Sequence, residues 1–355
     1  MGNFLHIADL HLGYRQYGFA QREEDFYAAL DQIAKIAIEN KVDVVISGDI
    51  FDTPKPPARA VRKMKEFVDR LSREWLHVWG IEGNHDLTGT NSWLHVCGIL
   101  PLDTPECHSC YIGQRMSLRA IGINYTRADT FKQKIQDLID SGEKADVLVT
   151  HTAFVEMNGD YASEFSTEEI APLLKQLGVK YVANGHIHMW SNVVSDGITF
   201  CQPGSLEVKA INEPHIKQAA LVEIENGQVN IIPIEYPIRK ILVKQIDTEE
   251  DFQKIISSIS SYSQHLVVLY VNRNVENFAE RFSDAVSGMT EIMYRISVIG
   301  EEIKEYDRGN AINSLGDAIE AYFDKDSDEY ELIARCLQTP ESASVMAKEY
   351  IDGKE

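Results

Sequence analysis

Residues 43–52 read Asp-Val-Val-Ile-Ser-Gly-Asp-Ile-Phe-Asp, an apolar run that ends in a glycine followed by acids. A short run of β-branched residues is typical of a strand that is buried on both faces of a sheet. The glycine allows a tight turn that brings Asp49 round to the end of the strand. The segment therefore predicts a buried strand of an α/β sheet that delivers carboxylates to the sheet edge, where such folds bind ligands.

The same arrangement recurs along the first two-thirds of the chain. The predicted buried strands are residues 4–8, 43–47, 77–81, 146–150 and 180–183. Helical patterns lie between them, at residues 24–40, 58–73, 130–141 and 167–177. Two hairpins follow, with turns at Asp196-Gly197 and Asn226-Gly227. We expect a layered α/β domain over residues 1–238.

Two further units are predicted after this domain. Residues 239–308 alternate strand and helix patterns and predict a small α/β module. Residues 309–355 carry apolar residues at helical spacing and predict a helical C-terminal segment.

Composition limits the class of protein. The chain has 355 residues, of which 44% are hydrophobic and 25% charged, as in soluble globular proteins. It lacks a long apolar run and a recognisable secretion signal, so we expect a cytoplasmic, reduced protein that does not enter a membrane. The net charge of −21 argues against nucleic-acid binding through overall charge. Any polyanionic substrate would need a local basic surface.

Polar clusters follow the predicted strands and contain seven candidate metal ligands. They are Asp9, His11, Asp49, Asn84, His151, His186 and His188. Seven nitrogen and oxygen donors are too many for one tetrahedral ion, and Asp49 can bridge two cations. Imidazole and carboxylate ligands without thiolate suit Mn, Fe, Co or Zn.

The ordered motifs resemble the calcineurin-like metallophosphoesterase superfamily. They are DxH at 9–11, GDxxD at 48–52, GNHD at 83–86, His151, and GHxH at 185–188. The sequences DLHLG and GDIFD are similar to those of its DNA-repair branch, the SbcD-type nucleases of double-strand break repair. The resemblance implies an α/β fold, a four-layer β-sandwich flanked by helices, with a small α/β capping domain and a helical C-terminal segment.

The resemblance also implies an activity and its machinery. It implies a metal-dependent DNA exonuclease and endonuclease of end processing, recombination and repair. One cation would be held by Asp9, His11, Asp49 and His188, and the other by Asp49, Asn84, His151 and His186. Mn²⁺ is the expected metal, with Mg²⁺, Co²⁺, Fe²⁺ or Zn²⁺ as alternatives. His85 would be a general acid that Asp52 orients, while Asp86 is expected to accept hydrogen bonds locally.

The predicted interaction surfaces each have a structural alternative. Arg59, Arg62 and Lys63 would contact DNA, or else form a solvated helix face. Apolar faces at residues 64–71 and 93–100 would form a homodimer, or else pack in the core. The C-terminal helices would bind an SbcC-type coiled-coil ATPase, or else dock on the second domain.

Two other functional classes stay open. A phosphatase, nucleotidase or cyclic-nucleotide phosphodiesterase could use the same motifs. Against a phosphoprotein phosphatase, Thr53-Pro54 follows GDxxD where Arg-Gly is expected, and the third motif is GNHD where that class has GNHE. A non-catalytic scaffold of the same fold should lack some ligands, and here none is missing.

Overall fold

The computed structural model describes residues 2–87, 92–103, 110–113, 117–157, 165–262, 265–272, 275, 277–287 and 293–299. The chain divides into two compact units, Met1–Ser297 and Val298–Glu355. Almost all of the second unit, including the predicted helices of residues 309–355, lies outside the described residues. Within the described part, no helix combines the length and apolar character needed to cross a bilayer.

Two six-stranded sheets form most of the first unit. Their strands are β1 (Gly2–Ile7), β2 (Asp43–Ser47), β3 (Val78–Ile81), β4 (Leu100–Pro101), β5 (Cys110–Ile112), β6 (Leu118–Ile123), β7 (Val147–His151), β8 (Tyr181–Gly185), β9 (Ser191–Ser195), β10 (Ile198–Gln202), β11 (Lys217–Glu225) and β12 (Gln228–Tyr236). One sheet has the order β12-β11-β1-β2-β3-β4 and the other β5-β6-β7-β8-β10-β9. β1, β2 and β3 pair in parallel, as do β6, β7 and β8.

The sheets face each other, and helices cover their outer faces. Phe4, Val45, Val149 and Tyr181 share the apolar layer between the sheets. The helices are α1 (Ala20–Asn40), α2 (Ala58–Arg73), α3 (Trp93–Cys97), α4 (Ala128–Asp140) and α5 (Thr167–Leu177). The first three pack on one sheet and the last two on the other. The expected four-layer α/β sandwich flanked by helices is therefore confirmed.

A three-stranded sheet follows the sandwich along the chain. It contains β13 (Ile241–Ile246), β14 (Leu266–Asn272) and β15 (Met293–Ile299), and is accompanied by α6 (Glu249–Ser258) and α7 (Phe278–Val286). Ile241, Leu266, Val268 and Met293 share an apolar cluster with Val208, which lies between β10 and β11. The small module is thus joined to the sandwich through this loop, while a domain boundary at residue 238 stays a prediction.

Local differences from the sequence-based expectations have physical causes. The helix expected over residues 93–100 ends at Cys97, because Gly98 adopts a left-handed conformation with φ of 79°. Strand β6 was not predicted, since Arg119 and Gly122 interrupt its apolar pattern. A Cβ at Gly122 would lie 2.6 Å from the Ile81 side chain, so this glycine lets the two sheets approach. The hairpin turns were predicted correctly, with positive φ at Asp196 and Asn226.

Candidate metal centre

The carboxyl ends of the parallel strands meet at one edge of the sandwich and bring the predicted ligands together. Four of the seven predicted ligands have a left-handed backbone, with φ of 52° at Asp9, 42° at His11, 51° at Asp49 and 89° at His186. Such conformations cost about 1–3 kcal/mol each and persist where surrounding contacts fix them. Here the Asp9 N–H donates to the Gly48 carbonyl and the His11 N–H to the Asp49 carbonyl.

The first group of ligands surrounds the end of β1. The Nε2 atoms of His11 and His188 face each other at 3.0 Å. Donor atoms of Asp9, His11 and His188 lie within 4.8 Å of one another. Asp9 and His11 are fully buried, so their polar atoms have little water to bind.

The second group spans the ends of both sheets, since Asn84 follows β3 whereas His151 and His186 lie at the ends of β7 and β8. The Asn84 Oδ1 accepts hydrogen bonds from His151 Nε2 and His186 Nδ1, both at 3.1 Å. Asp49 lies between the groups, with Oδ2 at 3.7 Å from His11 Nε2 and 3.4 Å from His151 Nε2. One carboxylate oxygen thus faces both groups.

This donor set fits divalent cations. Buried imidazole nitrogens, carboxylates and an amide oxygen converge, and among the described residues no thiolate joins them. Burial alone would raise the pKa of Asp49, but the neighbouring His151 lowers it well below its ordinary value. Burial lowers the pKa of His151, yet Asp49 and Asp9 raise it to about 9. A proton on His151 thus balances the negative charge of these two acids. A bound cation can balance the same charge instead.

Close packing fixes the loop between the two groups. A Cβ at Gly83 would lie 2.1 Å from Asp49 Oδ1, so only glycine fits there. Asp86 is buried and accepts hydrogen bonds from the backbone N–H groups of Ile50, Phe51 and Gly83 at 2.9–3.0 Å. Burial raises the pKa of Asp86 to about 7, against the effect of these donors. The prediction that Asp86 accepts local hydrogen bonds is confirmed.

His85 lies at the rim of the cluster, held at two points. Its backbone N–H donates to Asp49 Oδ1 at 2.9 Å, and its Nδ1 donates to the main-chain oxygen of Asp52 at 2.6 Å. The Asp52 carboxylate instead lies 2.9 Å from Lys209 Nζ and 3.5 Å from His11 Nδ1. Asp52 therefore contacts His85 through its own backbone carbonyl, whereas the resemblance implied that the second acid of GDxxD orients this histidine.

Residues of the loop between β10 and β11 support the ligands and were missed in the sequence. His188 Nδ1 donates to Glu213 Oε1 at 2.9 Å, and Lys217 Nζ and Ser205 Oγ donate to Glu213 Oε2. Burial would raise the pKa of Glu213, but His188 and Lys217 lower it to about 2. Such carboxylates orient ligating histidines. Ser205 lies shortly after β10, where a polar residue is a usable signal, whereas Glu213 lies further along the loop and has no such signal.

The predicted DNA-contacting residues lie on the solvent-facing side of α2, and each is paired with an acid. Arg59 pairs with Glu24, while Arg62 and Lys63 both pair with Glu66. The apolar side of the same helix faces inward. Its residues Met64, Val68 and Leu71, which were predicted at a dimer surface, are buried in the protein's own core. Core packing, which was the alternative to a dimer surface, therefore accounts for these three side chains.

The second predicted dimer segment is only partly buried. Leu94 and Cys97 pack in the core, and Trp93 packs against it while its Nε1 donates to the Pro54 carbonyl. Val96 is 50% exposed and Leu100 is 37% exposed. A homodimer through this segment stays a prediction.

The fold and the cluster of candidate ligands are consistent with the protein family that the chain matches. The family of calcineurin-like phosphoesterases matches residues 2–190, more than half of the chain. The protein belongs to that family.

Its relatives include archaeal proteins described as DNA double-strand break repair protein Mre11. The one from Methanococcus maripaludis is 26% identical over 387 residues, covering 99% of each chain. The one from Thermoplasma acidophilum is 28% identical over 278 residues, covering 72% of this chain and 70% of the relative. The one from Archaeoglobus fulgidus is 30% identical over 227 residues, covering 58% of this chain and 50% of the relative.

Proposed function

We propose that the protein is a two-metal DNA nuclease, both exonuclease and endonuclease, of double-strand break repair. The observation that carries this proposal is the pair of donor groups that share Asp49, with His85 beside them. The relatives described as repair proteins support DNA as the substrate. Asp9, His11, Asp49 and His188 would hold one cation, and Asp49, Asn84, His151 and His186 the other. Mn²⁺ is the proposed metal.

The chain's own residues divide the work of hydrolysis. When bound, divalent cations of this kind polarise a phosphate oxygen and lower the pKa of water. His85 Nδ1 is hydrogen-bonded to the Asp52 main-chain oxygen. The Nε2 atom of His85 is therefore the ring nitrogen that can reach a substrate. A protonated Nε2 can donate its proton to the leaving oxygen, as a general acid. Glu213 and the Ser47 carbonyl orient His188 and His151 through their outer nitrogens.

A substrate panel tests the activity. The purified full chain with Mn²⁺ is offered linear duplex DNA, a small phosphodiester, a cyclic nucleotide and a phosphomonoester. We expect cleavage of the DNA, and none after removal of metal by a chelator. Preference for the phosphomonoester or the cyclic nucleotide would identify a phosphatase or cyclic-nucleotide phosphodiesterase instead. Inactivity on every substrate, with metal bound, would favour a non-catalytic scaffold.

We further propose that residues 309–355 bind an SbcC-type coiled-coil ATPase. The support is in the sequence, where Leu315, Ile319 and Tyr322 are spaced as one face of a helix. Short amphipathic helices need a surface that covers their apolar face. Truncation after Asn310 should leave a folded nuclease that no longer co-purifies with the ATPase. Retained binding, or unfolding of the truncated chain, would contradict this assignment.

A further inference from the structure

An acidic chain that cleaves DNA needs a cation that faces the substrate. The basic residues of α2 that were predicted to do this already face Glu24 and Glu66. Two lysines lie close to the predicted ligands instead, Lys217 and Lys209. Lys217 is buried, and its Nζ donates to the His188 carbonyl, Ser205 Oγ and Glu213 Oε2. These three partners use all the protons of its ammonium group.

Lys209 differs from Lys217 in both exposure and partners. Its side chain is 17% exposed, and its Nζ lies 2.9 Å from Asp52 Oδ1 and 3.1 Å from His11 Nδ1. An ammonium group has three protons to donate. Its Nζ also lies 5.2 Å from the centroid of the Tyr14 ring, but within the described residues no oxygen or nitrogen atom accepts its third proton. Lys209 is therefore the lysine of this pair that can reach a ligand from outside.

The contact between Lys209 and His11 depends on what the other nitrogen of His11 does. His11 Nε2 faces His188 Nε2 and Asp49 Oδ2, on the side of the predicted cation. A neutral imidazole that binds a cation through Nε2 carries its proton on Nδ1. Nδ1 then cannot accept from Lys209, and its nearest carboxylate is Asp52 Oδ1 at 3.5 Å. Lys209 would keep Asp52 as its partner and have two protons to offer.

The backbone of Lys209 is held in place. Its carbonyl accepts from Gln16 Nε2 at 3.0 Å and from the Tyr14 hydroxyl at 3.3 Å, and its N–H donates to Glu213 Oε2 at 3.2 Å. Arg22, which is fully buried, donates to Gln16 Oε1. Because the residue is already positioned, little backbone entropy is lost when its ammonium binds a ligand.

We propose that Lys209 binds a phosphate oxygen of the DNA strand on the side of the site where His85 lies, with Asp52 holding the ammonium group. The proximity of the rings of His11 and His85, at 4.9 Å between centroids, places Lys209 near that side. The ligand is a phosphodiester backbone and not a base. This proposal rests on the proposed nuclease function, since it names a substrate contact of the same site.

Binding to modified oligonucleotides tests the contact without cleavage. The affinity of the full chain for short DNA is measured with Ca²⁺ in place of Mn²⁺, with one linkage at a time replaced by a neutral methylphosphonate. We compare the wild type with Lys209→Met, Lys209→Gln and Lys209→Arg. Lys175→Met is the matched control, since Lys175 lies on helix α5, outside the candidate site, and pairs with Asp196.

We expect one linkage whose neutralisation weakens the wild type several-fold but has no added effect in Lys209→Met or Lys209→Gln. In these two variants, the magnitude of the slope of log K against log salt concentration should be smaller than in the wild type by about 0.7–0.9, the value for one phosphate contact. Lys209→Arg and Lys175→Met should behave as the wild type. Additive losses at every linkage would overturn the proposal, and so would lower metal affinity with an unchanged salt slope. If Mn²⁺ fails to support DNA cleavage by the wild type, the nuclease function fails separately.

Discussion

The candidate metal centre and the outer face of α2 both collect charged residues, but they are built differently. In the centre, Asp9 and Asp49 are almost fully buried and each contacts histidines across two sheets. On α2, Arg62 is 67% exposed and its partner Glu66 is 55% exposed. Exposed ion pairs contribute about 0–1 kcal/mol, so the loss of one should cost little. A buried charge cannot lose its partner so cheaply. Substitutions in the centre should therefore cause far larger losses of metal binding and cleavage.

The largest effect is expected from Asp49→Ala. This change removes the carboxylate that faces both donor groups, so both cations should be lost and DNA cleavage should fall to background. Metal content after gel filtration measures the loss. Asp69→Ala, on the exposed side of α2, is the control and should keep full content. Full metal content in Asp49→Ala would reject the bridging assignment.

His85→Ala should separate chemistry from metal binding. Both cations should stay, because His85 contacts the centre through its backbone N–H, which alanine keeps. Cleavage should fall by about 10²–10⁴-fold, the usual contribution of a general acid. His77→Ala, at an exposed histidine, is the control. A variant that has lost its metal would show that His85 is a ligand.

The convergence of the predicted ligands could be anticipated because each lies at or shortly after the end of a strand whose apolar pattern is clear. Asp9 after β1, Asp49 after β2 and His186 after β8 are determined by local sequence and by the convergence of parallel strands. Positive φ at these residues could not be read in advance, since aspartate and histidine adopt it more often than most residues but still only in a minority of cases.

The surroundings of the centre were harder to predict because their partners are far apart in sequence. Glu213 supports His188 across 25 positions, and Lys209 reaches His11 across 198. Likewise, Arg59 faces Glu24 because α1 packs beside α2. Periodicity shows which side of a helix is apolar, but not which acid lies opposite an exposed cation.

Glu213→Gln should have an intermediate effect. The amide oxygen can still accept from His188, but the negative charge that polarises the ring is lost. Loss of such a partner typically lowers metal affinity by about 10–100-fold. Titration with Mn²⁺ measures this change, with Glu169→Gln at an exposed position of α5 as the control. Unchanged affinity would mean that Glu213 only fixes the loop between β10 and β11.

The smallest effect is expected on α2. Changing Arg59, Arg62 and Lys63 to glutamate should raise the Kd for DNA several-fold at low salt and leave cleavage of a small phosphodiester unchanged. The effect is limited because Glu24 and Glu66 already offset these cations. It should vanish near 1 M salt, where the screening length falls to about 3 Å.

The matched control for α2 is the double change of Lys132 and Lys175 to glutamate, since both are exposed lysines that also pair with acids. If the control weakens DNA binding per charge as much as the α2 variant does, overall charge and not a local surface is responsible. Equal losses on DNA and on the small phosphodiester would instead mean that α2 supports the fold beneath it. Only a loss confined to DNA and to the α2 variant makes this helix face part of the DNA-binding surface, with Lys209 as the contact inside the site.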